Sequence, residues 1–445
     1  MIKMKTFSRG GVHPRDFKEL TAACPIRSAP LPTMALVPFL QHIGAPLLPK
    51  VAVGDFVKEG QMIAESNSFV SAAVHSPVPG EVKDLKTIYL ASGMKSTAAL
   101  IEMSGDFTLT GKPVQHRQWE ELSNEEILKI LKDYGVVGQG GAAFPSHVKY
   151  TIPKGRNFEV FIINAAECEP YLTADHRVIL ERRDDLLEGL RIIRRLLNPK
   201  RIVFGLESNK MEAYKLLQEV SKEHNFEVML LQKKYPQGAE KNLIEAILGR
   251  EVPSGKLPIE VGVINANVGT IVSVCHAVRD DRPVIDRVIT ISGGAIKHPG
   301  NLLARIGTPI RSLIEECGGF TEEPAKLISG GPMMGFTFYN LDTPVTKGTS
   351  GILAFTAREA HYFSQTACLS CGRCAEACPM GLSPTAIFKY IDNERLDDAA
   401  KAGLDDCILC GACAFSCPAH IPLVSAMKAA RGRRRRLAVA RKDKG

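Results

Sequence analysis

Eight of the twelve cysteines in this 445-residue chain fall into two copies of one spacing, CLSCGRCAEACP from Cys368 and CILCGACAFSCP from Cys407. The pattern C-x2-C-x2-C-x3-C-P is one that holds [4Fe–4S] clusters: three thiolates wrap three corners of a cuboid, and the fourth ligand comes from elsewhere. Gly372 and Gly411 let bare backbone approach the sulfides, and Pro379 and Pro418 turn the chain away after each run. Structural zinc prefers two separated C-x2-C pairs around a tetrahedral ion, whereas here a whole four-cysteine run occurs twice. The fold must therefore bring two thiolate loops together. Cys24, Cys168, Cys275 and Cys317 have no such spacing and read as small buried hydrophobes.

With 45 % apolar side chains the chain is far too long for one core, so roughly three or four packed units are expected. The formal charge of +8 sits at the end: Arg431 to Gly445 holds eight Lys/Arg against Asp443, leaving about +1 elsewhere. A nearly neutral body gives no reason to expect nucleic acid. The tail reads as a solvated, disordered end or as a contact for anionic lipid or an acidic partner. Two uncharged stretches, Ser28 to Pro49 and Val261 to Val278, fall short of a spanning helix of ~20 apolar residues. The first is broken by Pro30, Pro32, Pro38, Pro46 and Pro49, and the second carries Asn265, Asn267 and His276. Met1 to Gly11 has no apolar core for export. The chain is expected in the cytoplasm, where clustered thiols stay reduced and available to metal.

Along the chain the pattern changes several times. Leu36 to Met103 shows short β-type runs punctuated by turns at Gly54-Asp55 and Glu59-Gly60. This stretch resembles the barrel-sandwich fold of biotinyl and lipoyl carrier domains. Those carriers need a lysine at an exposed hairpin tip, and the corresponding Ser66-Asn67-Ser68-Phe69 has none, so an unmodified structural relative is expected. From Asn124, helical and apolar strand runs alternate (EEILKILKDYGVVG, VFIINAA, LLEGLRIIRRLL, RIVFGLES, FEVMLLQ), which indicates a mostly parallel sheet with helices on its faces. Val288 to Gly319 returns to strand-then-helix and resembles the small β-grasp unit found beside flavin domains in complex I. Thr366 to Ala430 is helical around the cysteine runs.

In two-cluster ferredoxins each fourth cysteine ligates the other cluster. By that rule Cys368, Cys371, Cys374 and Cys417 form one set, and Cys407, Cys410, Cys413 and Cys378 the other. The 28 residues between Cys378 and Cys407 exceed the linker of a small ferredoxin, so a helical ferredoxin-like arrangement is expected.

GVVGQGGAAFPSHVK puts Gly138, Gly140 and Gly141 at a turn after a helix, where bare N–H groups can meet a phosphate or flavin edge. INAAECEP ends a strand with Asn164, Glu167 and Glu169, and open α/β sheets bind ligands beyond strand C-termini. YPQGAEKNL adds Glu240, and INANVGT adds Asn265, Asn267 and Thr270. Together these resemble the NADH-oxidising FMN subunit of respiratory complex I. The family's Arg in the glycine turn is Gln139 here, an Asp that contacts flavin is Ala166, and the Glu of Asn-Val-Glu-Thr is Gly269.

A resemblance over nearly the whole chain is to the RnfC family, the C components of Rnf-type ferredoxin:NAD oxidoreductases. FSRGGVHPRDFKELT, the barrel-sandwich segment, VVGQGGAAFPSHVK, NAAECEPY, SGGPMMG and the paired cysteine runs occur in that order. It implies non-covalent FMN, an NAD(H) site and two [4Fe–4S] clusters in a peripheral subunit on the cytoplasmic side of the membrane, with ferredoxin reached through partner subunits. It also implies that Lys149 and Glu169 serve the reaction, Lys149 toward the flavin and Glu169 toward the nicotinamide, with Glu240 and a stacking Phe144 on the nucleotide. The expected units are a segment at 1–35, a barrel-sandwich hybrid at 36–110, an FMN/NAD(H) α/β domain at 111–285, an SLBB-type β-grasp at 286–345, a helical two-cluster domain at 360–430 and the basic tail at 431–445. Cobalamin reductases of the diol-utilisation type share the flavin, β-grasp and cluster modules and are the alternative, although they commonly lack the GGVHP segment and the barrel-sandwich.

Overall fold

The computed structural model describes residues 4–442. After β1 (Ile26–Ser28), seven strands build the barrel-sandwich: β2 (Met34–Pro38), β3 (Leu48–Pro49), β4 (Phe56–Val57), β5 (Met62–Glu65), β6 (Val74–His75), β7 (Gly80–Tyr89) and β8 (Lys95–Met103). They form two antiparallel sheets in the orders β2-β8-β7-β4 and β3-β5-β6. Alternation turns Val37, Val57, Ile63, Val82 and Ile101 inward to full burial, each burial stabilising by about 1.5–3 kcal/mol. The β5–β6 connection is the exposed tip. Phe69 there meets the edge of the His147 ring at 5.6 Å, and its carbonyl lies 2.8 Å from His147 Nε2. The position that holds a cofactor in carrier domains is thus a prop for the next unit.

That unit runs α1 (Asn124–Asp133), α2 (Ser146–Tyr150), β9 (Val160–Ala165), α3 (Ala174–Glu181), α4 (Arg183–Leu197), β10 (Arg201–Glu207), α5 (Met211–Ser221), β11 (Glu227–Leu231), α6 (Glu240–Leu248), β12 (Val263–Asn267) and α7 (Val268–Val278). Ser123 and Glu126 close a capping box at the start of α1, satisfying two otherwise orphaned N–H groups. The four strands are parallel in the order β11-β10-β9-β12. Helix α4 buries Leu186, Leu190, Ile193 and Leu197, and α7 is apolar nearly all round. Their approach depends on Gly189, since a Cβ there would stand 2.2 Å from the Ile271 carbonyl oxygen.

The β-grasp unit comprises β13 (Asp286–Ser292), β14 (Gly300–Arg305), α8 (Ile310–Glu316), β15 (Lys326–Ser329), β16 (Phe336–Phe338), β17 (Gly351–Phe355) and α9 (Ala357–Ala360). Its sheet order is β1-β14-β13-β17-β15-β16, so the N-terminal segment contributes an edge strand paired parallel to β14. Lys347 is buried at the junction of three units, its Nζ donating to the Ala73 and Gly135 carbonyls at 2.7 Å. Burial lowers its pKa to about 7.

The last unit holds α10 (Arg373–Glu376), α11 (Pro384–Asp392), α12 (Leu396–Lys401), α13 (Ala412–Phe415) and α14 (Leu423–Lys442) around Ile387, Leu404, Leu423 and Met427. Here the reading of the tail as a disordered end is corrected: α14 continues through it to Lys442, and residues 443–445 lie outside the described part. The helix is anchored by Arg431, which donates to the Cys407 carbonyl at 2.7 Å, and by ion pairs of Arg433 with Glu394 and Arg434 with Asp405. Among the described residues no helix is long and apolar enough to cross a membrane.

Candidate functional site

Strands β9 and β12 are neighbours, yet the chain visits β10 and β11 on the far side of β9 between them. The order reverses there, and the crevice outside the carboxyl ends at such a point is where open α/β sheets take ligands. Asn164 on β9 is in register with Asn267 on β12, and Asn265 shares the face of Asn267. Asn267 caps α7, accepting from the Gly269 N–H at 2.9 Å, and donates its amide to Asp175. Thr270 accepts from the Gln139 N–H at 2.9 Å, tying the glycine turn to the start of α7.

That turn is a closed loop. Val137 bridges Pro145, and the Gly138 N–H donates to the Phe144 carbonyl at 2.8 Å. Gly140 and Gly141 are exposed, with Gly141 at φ +101°, and a Cβ on Gly140 would lie 3.5 Å from Asn267. Bare amides beside an 11-residue helix N-terminus make an anion cradle. Gln139 and Gly269, two of the departures from the complex I pattern, are packed on each other: Gln139 Oε1 stands 2.7 Å from where a Gly269 Cβ would be, and its Nε2 donates to Ser273 at 2.7 Å.

Lys149, on α2, donates to Glu240 at 2.7 Å and to Asn265. The pair is partly exposed and so worth only about 0–1 kcal/mol, which leaves the ammonium available to a phosphate or carbonyl. Asn164 donates to the Gly238 carbonyl at 2.9 Å, drawing the Glu240 segment to β9. Lys149, Asn164, Glu240, Asn265, Asn267, Thr270, Phe144 and the three glycines are thus one neighbourhood. The Glu167 side chain is engaged elsewhere: it caps α3 through the Asp175 N–H at 2.7 Å, with Lys18 Nζ 4.0 Å away. Glu167 is held at φ +45°, and what it offers a ligand is backbone.

Glu169 closes the strand-end loop. Its Oε1 lies 3.3 Å from the Tyr235 hydroxyl and its Oε2 accepts from the Met333 N–H at 3.0 Å. Burial pushes its carboxyl up to about 7, against the lowering effect of the Met333 and Met334 amides. A Cβ on Gly331 would stand 2.2 Å from Glu169 Oε2, so only glycine lets the SGGPMMG segment fold over the carboxyl. Sequence reasoning misses Tyr235, the first residue of YPQGAEKNL, because nothing local marks it. It also misses the buried lysines that fix this loop: Lys18 donates to the Glu169 carbonyl at 3.0 Å and Lys210 to the Ala166 carbonyl at 2.6 Å.

The cysteine runs have one backbone form. Ser370 and Leu409 are at φ +54° and +56°, Gly372 and Gly411 at +76° and +86°. Cys378, Cys407, Cys410 and Cys413 line one small cavity with Gly411 and Met427, the grouping of the crossed ligand rule of two-cluster ferredoxins. Burial, then the neighbouring sulfurs, push Cys413 up to about 12, and Cys410 rises to about 12 for the same main reason, burial. Thiolates persist in such a nest only around a positive centre, so these residues fit a cluster. Among the described residues no three cysteine sulfurs lie within 4.8 Å of one another, whereas tetrahedral zinc at Zn–S about 2.3 Å needs them nearer about 3.8 Å. Of the other set, Cys374 is buried, Cys417 half-buried, and Cys368 and Cys371 exposed.

The large cavity of about 1010 Å³ lies behind Gln139 and Gly269, between α7, β13 and residues 108–115. Among its lining charges Arg305 pairs with Glu59 at 2.7 Å and Arg279 with Asp185 at 2.8 Å.

A doubly wound sheet with a glycine cradle at its switch point, joined to a paired cysteine domain, defines a flavin- and iron–sulfur-dependent electron-transfer protein. Residues 131–276 match the Nuo51 FMN-binding domain, 5–106 the RnfC barrel sandwich hybrid domain, 288–337 the SLBB domain and 367–421 the 4Fe-4S dicluster domain. The chain is 48 % identical to the C component of the proton-translocating ferredoxin:NAD(+) oxidoreductase complex of Clostridium ljungdahlii, covering 86 % of this chain and 84 % of that one. It is 42 % identical to the C component of the Na(+)-translocating complex of Acetobacterium woodii, over 100 % and 99 %. The chain belongs to the RnfC family, the C components of ion-translocating ferredoxin:NAD oxidoreductase complexes, and the barrel-sandwich match supplies the module that cobalamin reductases commonly lack. Among solved structures, NAD+-reducing [NiFe]-hydrogenase in the H2-reduced state superposes with a TM-score of 0.50 at 18 % identity over 72 % of this chain and 65 % of that one. The air-oxidized state gives 0.51. These share the fold.

Proposed function

We propose that the chain carries electrons between NAD(H) and the partner subunits of an ion-translocating complex, through FMN at the β9/β12 switch point and two [4Fe–4S] clusters on the paired cysteine runs. The observation that supports this best is continuity: one segment, YPQGAE, carries Glu240 beside Lys149 in the polar crevice and, five residues earlier, Tyr235, whose hydroxyl donates to the Cys410 carbonyl of the crossed cysteine set. FMN, when bound, supplies the exchange between a hydride and single electrons. The glycine turn and the α7 N-terminus hold its phosphate, and Lys149 sets a positive charge beside it. Asn164, Asn265 and Asn267 orient the ring by amide hydrogen bonds. Phe144 offers a stacking face to the nucleotide, and Glu169 and Glu240 accept hydrogen bonds from its carboxamide and ribose. The clusters connect to partner subunits on the cytoplasmic side of the membrane, through which ferredoxin is reached.

The test is anaerobic purification followed by metal, sulfide and flavin analysis and an NADH titration. About eight iron atoms and as many sulfides per chain are expected, with one FMN that NADH bleaches. Stoichiometric zinc in place of iron, or a bound flavin that NADH leaves oxidised, overturns the reading.

A further inference from the structure

The cations lining the large cavity behind Gln139 and Gly269 divide into two groups. Arg279, Arg282 and Arg305 are held by Asp185, Asp286 and Glu59. Among the described residues no carboxylate oxygen lies within 4.0 Å of Lys112, Arg182 or Arg287. These three come from separate elements: Arg287 from β13, Arg182 from the bend between α3 and α4, and Lys112 from a strap, residues 108–117, that is tied at both ends. The Thr108, Leu109 and Thr110 N–H groups donate to Glu59 at 3.1, 2.7 and 3.0 Å, and the Arg117 N–H donates to the Arg279 carbonyl at 2.6 Å. Between the ties Gly111 to Gln115 lie exposed. Arg287 is only 5 % exposed, and its contacts are all carbonyls: Lys347, and Val288 and Gln139 at 3.4 Å each. A guanidinium has five N–H donors, so the second N–H of each terminal nitrogen has no acceptor among the described residues. A buried charge without a counter-charge is costly, and burial pulls this pKa down to about 10, only partly offset by Asp175. Ser273 also faces the cavity; its Oγ accepts from Gln139 Nε2 at 2.7 Å, which leaves its hydroxyl hydrogen to donate. Among the described residues no Phe, Tyr or Trp lines the cavity, and its apolar wall includes Leu31, Val178, Val272 and Val288.

We propose that this cavity binds a phosphate group, free or carried on a small molecule without an aromatic ring, with Arg287 and Ser273 holding it from the buried floor and Arg182 and Lys112 closing on it from the mouth. A single carboxylate is satisfied by one guanidinium fork, whereas cations arriving from three elements suit a tetrahedral dianion that accepts on several sides. The volume, about 1010 Å³, stands at the top of the range of roughly 300–1,000 Å³ for small-molecule sites, so an ester larger than phosphate has room. A base or flavin ring would want an aromatic wall to stack on, and the wall here is aliphatic. The site is separate from the crevice of Lys149, Glu240 and Asn265, none of which lines it, and shares Gln139 and Gly269 with it as a partition. Arg287 reaches the Gln139 carbonyl and Ser273 accepts from the Gln139 side chain, so an occupant here bears on the glycine turn from behind.

The test uses the full chain, loaded with FMN and iron, in equilibrium dialysis against labelled inorganic phosphate at constant ionic strength, with glycerol phosphate and adenosine monophosphate as competitors. One saturable site per chain is expected, with Kd of about 1 mM or tighter. Stronger competition by glycerol phosphate than by unlabelled phosphate assigns an ester as the ligand, and the reverse order assigns the free ion. Stronger competition by adenosine monophosphate than by either overturns the ring-free class. Arg287→Gln should abolish binding, but Arg287 also supports the glycine turn, so the deciding variant is Arg182→Gln, at the half-buried mouth. It should weaken binding about 10-fold or more, the effect of losing a hydrogen bond between charged groups, with flavin and iron content retained; Lys112→Gln, on the exposed strap, should weaken it severalfold. Absence of a saturable site, or an unchanged affinity in Arg182→Gln, overturns the proposal. Binding that appears only after FMN is removed also overturns it, because the phosphate then occupies the flavin cradle.

Discussion

The two cysteine runs have the same spacing and the same left-handed turns, but different surroundings. Around the second run, Cys410 and Cys413 are buried and Tyr235 and Met333 close over it; in the first, Cys374 and Cys378 are buried, the latter beneath the GGVHP segment, while Cys368 and Cys371 face solvent. Local sequence therefore determines how each loop wraps its centre, and tertiary neighbours determine what that centre touches. Burial and hydrogen bonding are among the levers that set a cluster's potential, so near-identical loops can hold centres of different potential.

The sharpest way to break the comparison is to remove a ligand from each run. Cys410→Ser and Cys371→Ser should both lose about half the iron, one cluster of two. Only the first should also unfold much more easily, since it opens a buried nest shared with the flavin unit; a loss of roughly 3–5 kcal/mol against 1 or less is expected, the large values being typical of damage to a buried network. Thermal denaturation with iron analysis measures both, and Cys24→Ser, outside the runs, should keep all the iron.

A matched pair of glycines sharpens the point. Gly372→Ala and Gly411→Ala each force a side chain into a left-handed turn, at roughly 1–2 kcal/mol. A Cβ on Gly372 meets nothing within 4 Å, whereas on Gly411 it meets the Met333 carbonyl at 2.8 Å. Overpacking adds roughly 1–3 kcal/mol, so Gly411→Ala should lower the denaturant midpoint about twice as far. Equal effects would show that this contact yields freely.

Much of this is legible in the sequence, for a physical reason. Cluster spacing, glycine turns and strand-end Asn/Glu residues are local patterns, and they point to the cysteine ligands, the crossed set and the flavin crevice. Contacts between units have no such local mark. Tyr235, Lys18 and Lys210 act through partners more than 40 residues away, and the Glu167 side chain turns to α3 because that helix lacks a cap of its own. The tail reads as disordered because eight basic residues suggest mutual repulsion, while Glu394 and Asp405 of the packed domain offset part of it.

Glu169 tests the flavin side of the second run's surroundings. Losing a hydrogen bond between its carboxylate and the nucleotide should cost ~1.5–3 kcal/mol, roughly 10- to 150-fold in the NADH concentration needed to reduce the flavin. Because burial places the carboxyl at about 7, ionisation develops as pH rises from about 6 to 8, and NADH affinity should rise with it. Stability moves the opposite way: a carboxyl whose pKa is raised on folding stabilises most when protonated, and that contribution is lost as pH rises from the ordinary carboxylate range, about 4, through about 7. Glu169→Gln should flatten both profiles while leaving the iron content intact, and Lys149→Ala should instead lower FMN occupancy.

The smallest effect is expected at α14. Truncation after Gly432 removes the Arg433–Glu394 and Arg434–Asp405 pairs, both at the surface, which contribute about 0–1 kcal/mol each, so thermal stability should barely move. Arg431, whose guanidinium holds the Cys407 carbonyl, is retained, and the second-run cluster with it. What should change is association with anionic vesicles at low salt. Arg435 and Arg436 are exposed, and a basic residue near such a surface contributes about 1 kcal/mol, screened within a Debye length of about 10 Å at 0.1 M salt. Sedimentation with vesicles containing about a quarter anionic lipid should therefore fall severalfold on truncation at low salt and converge with the full chain at high salt. If the truncated chain sediments equally well at low salt, α14 serves only to close the cysteine domain, and the basic face has no part in bringing the chain to the membrane.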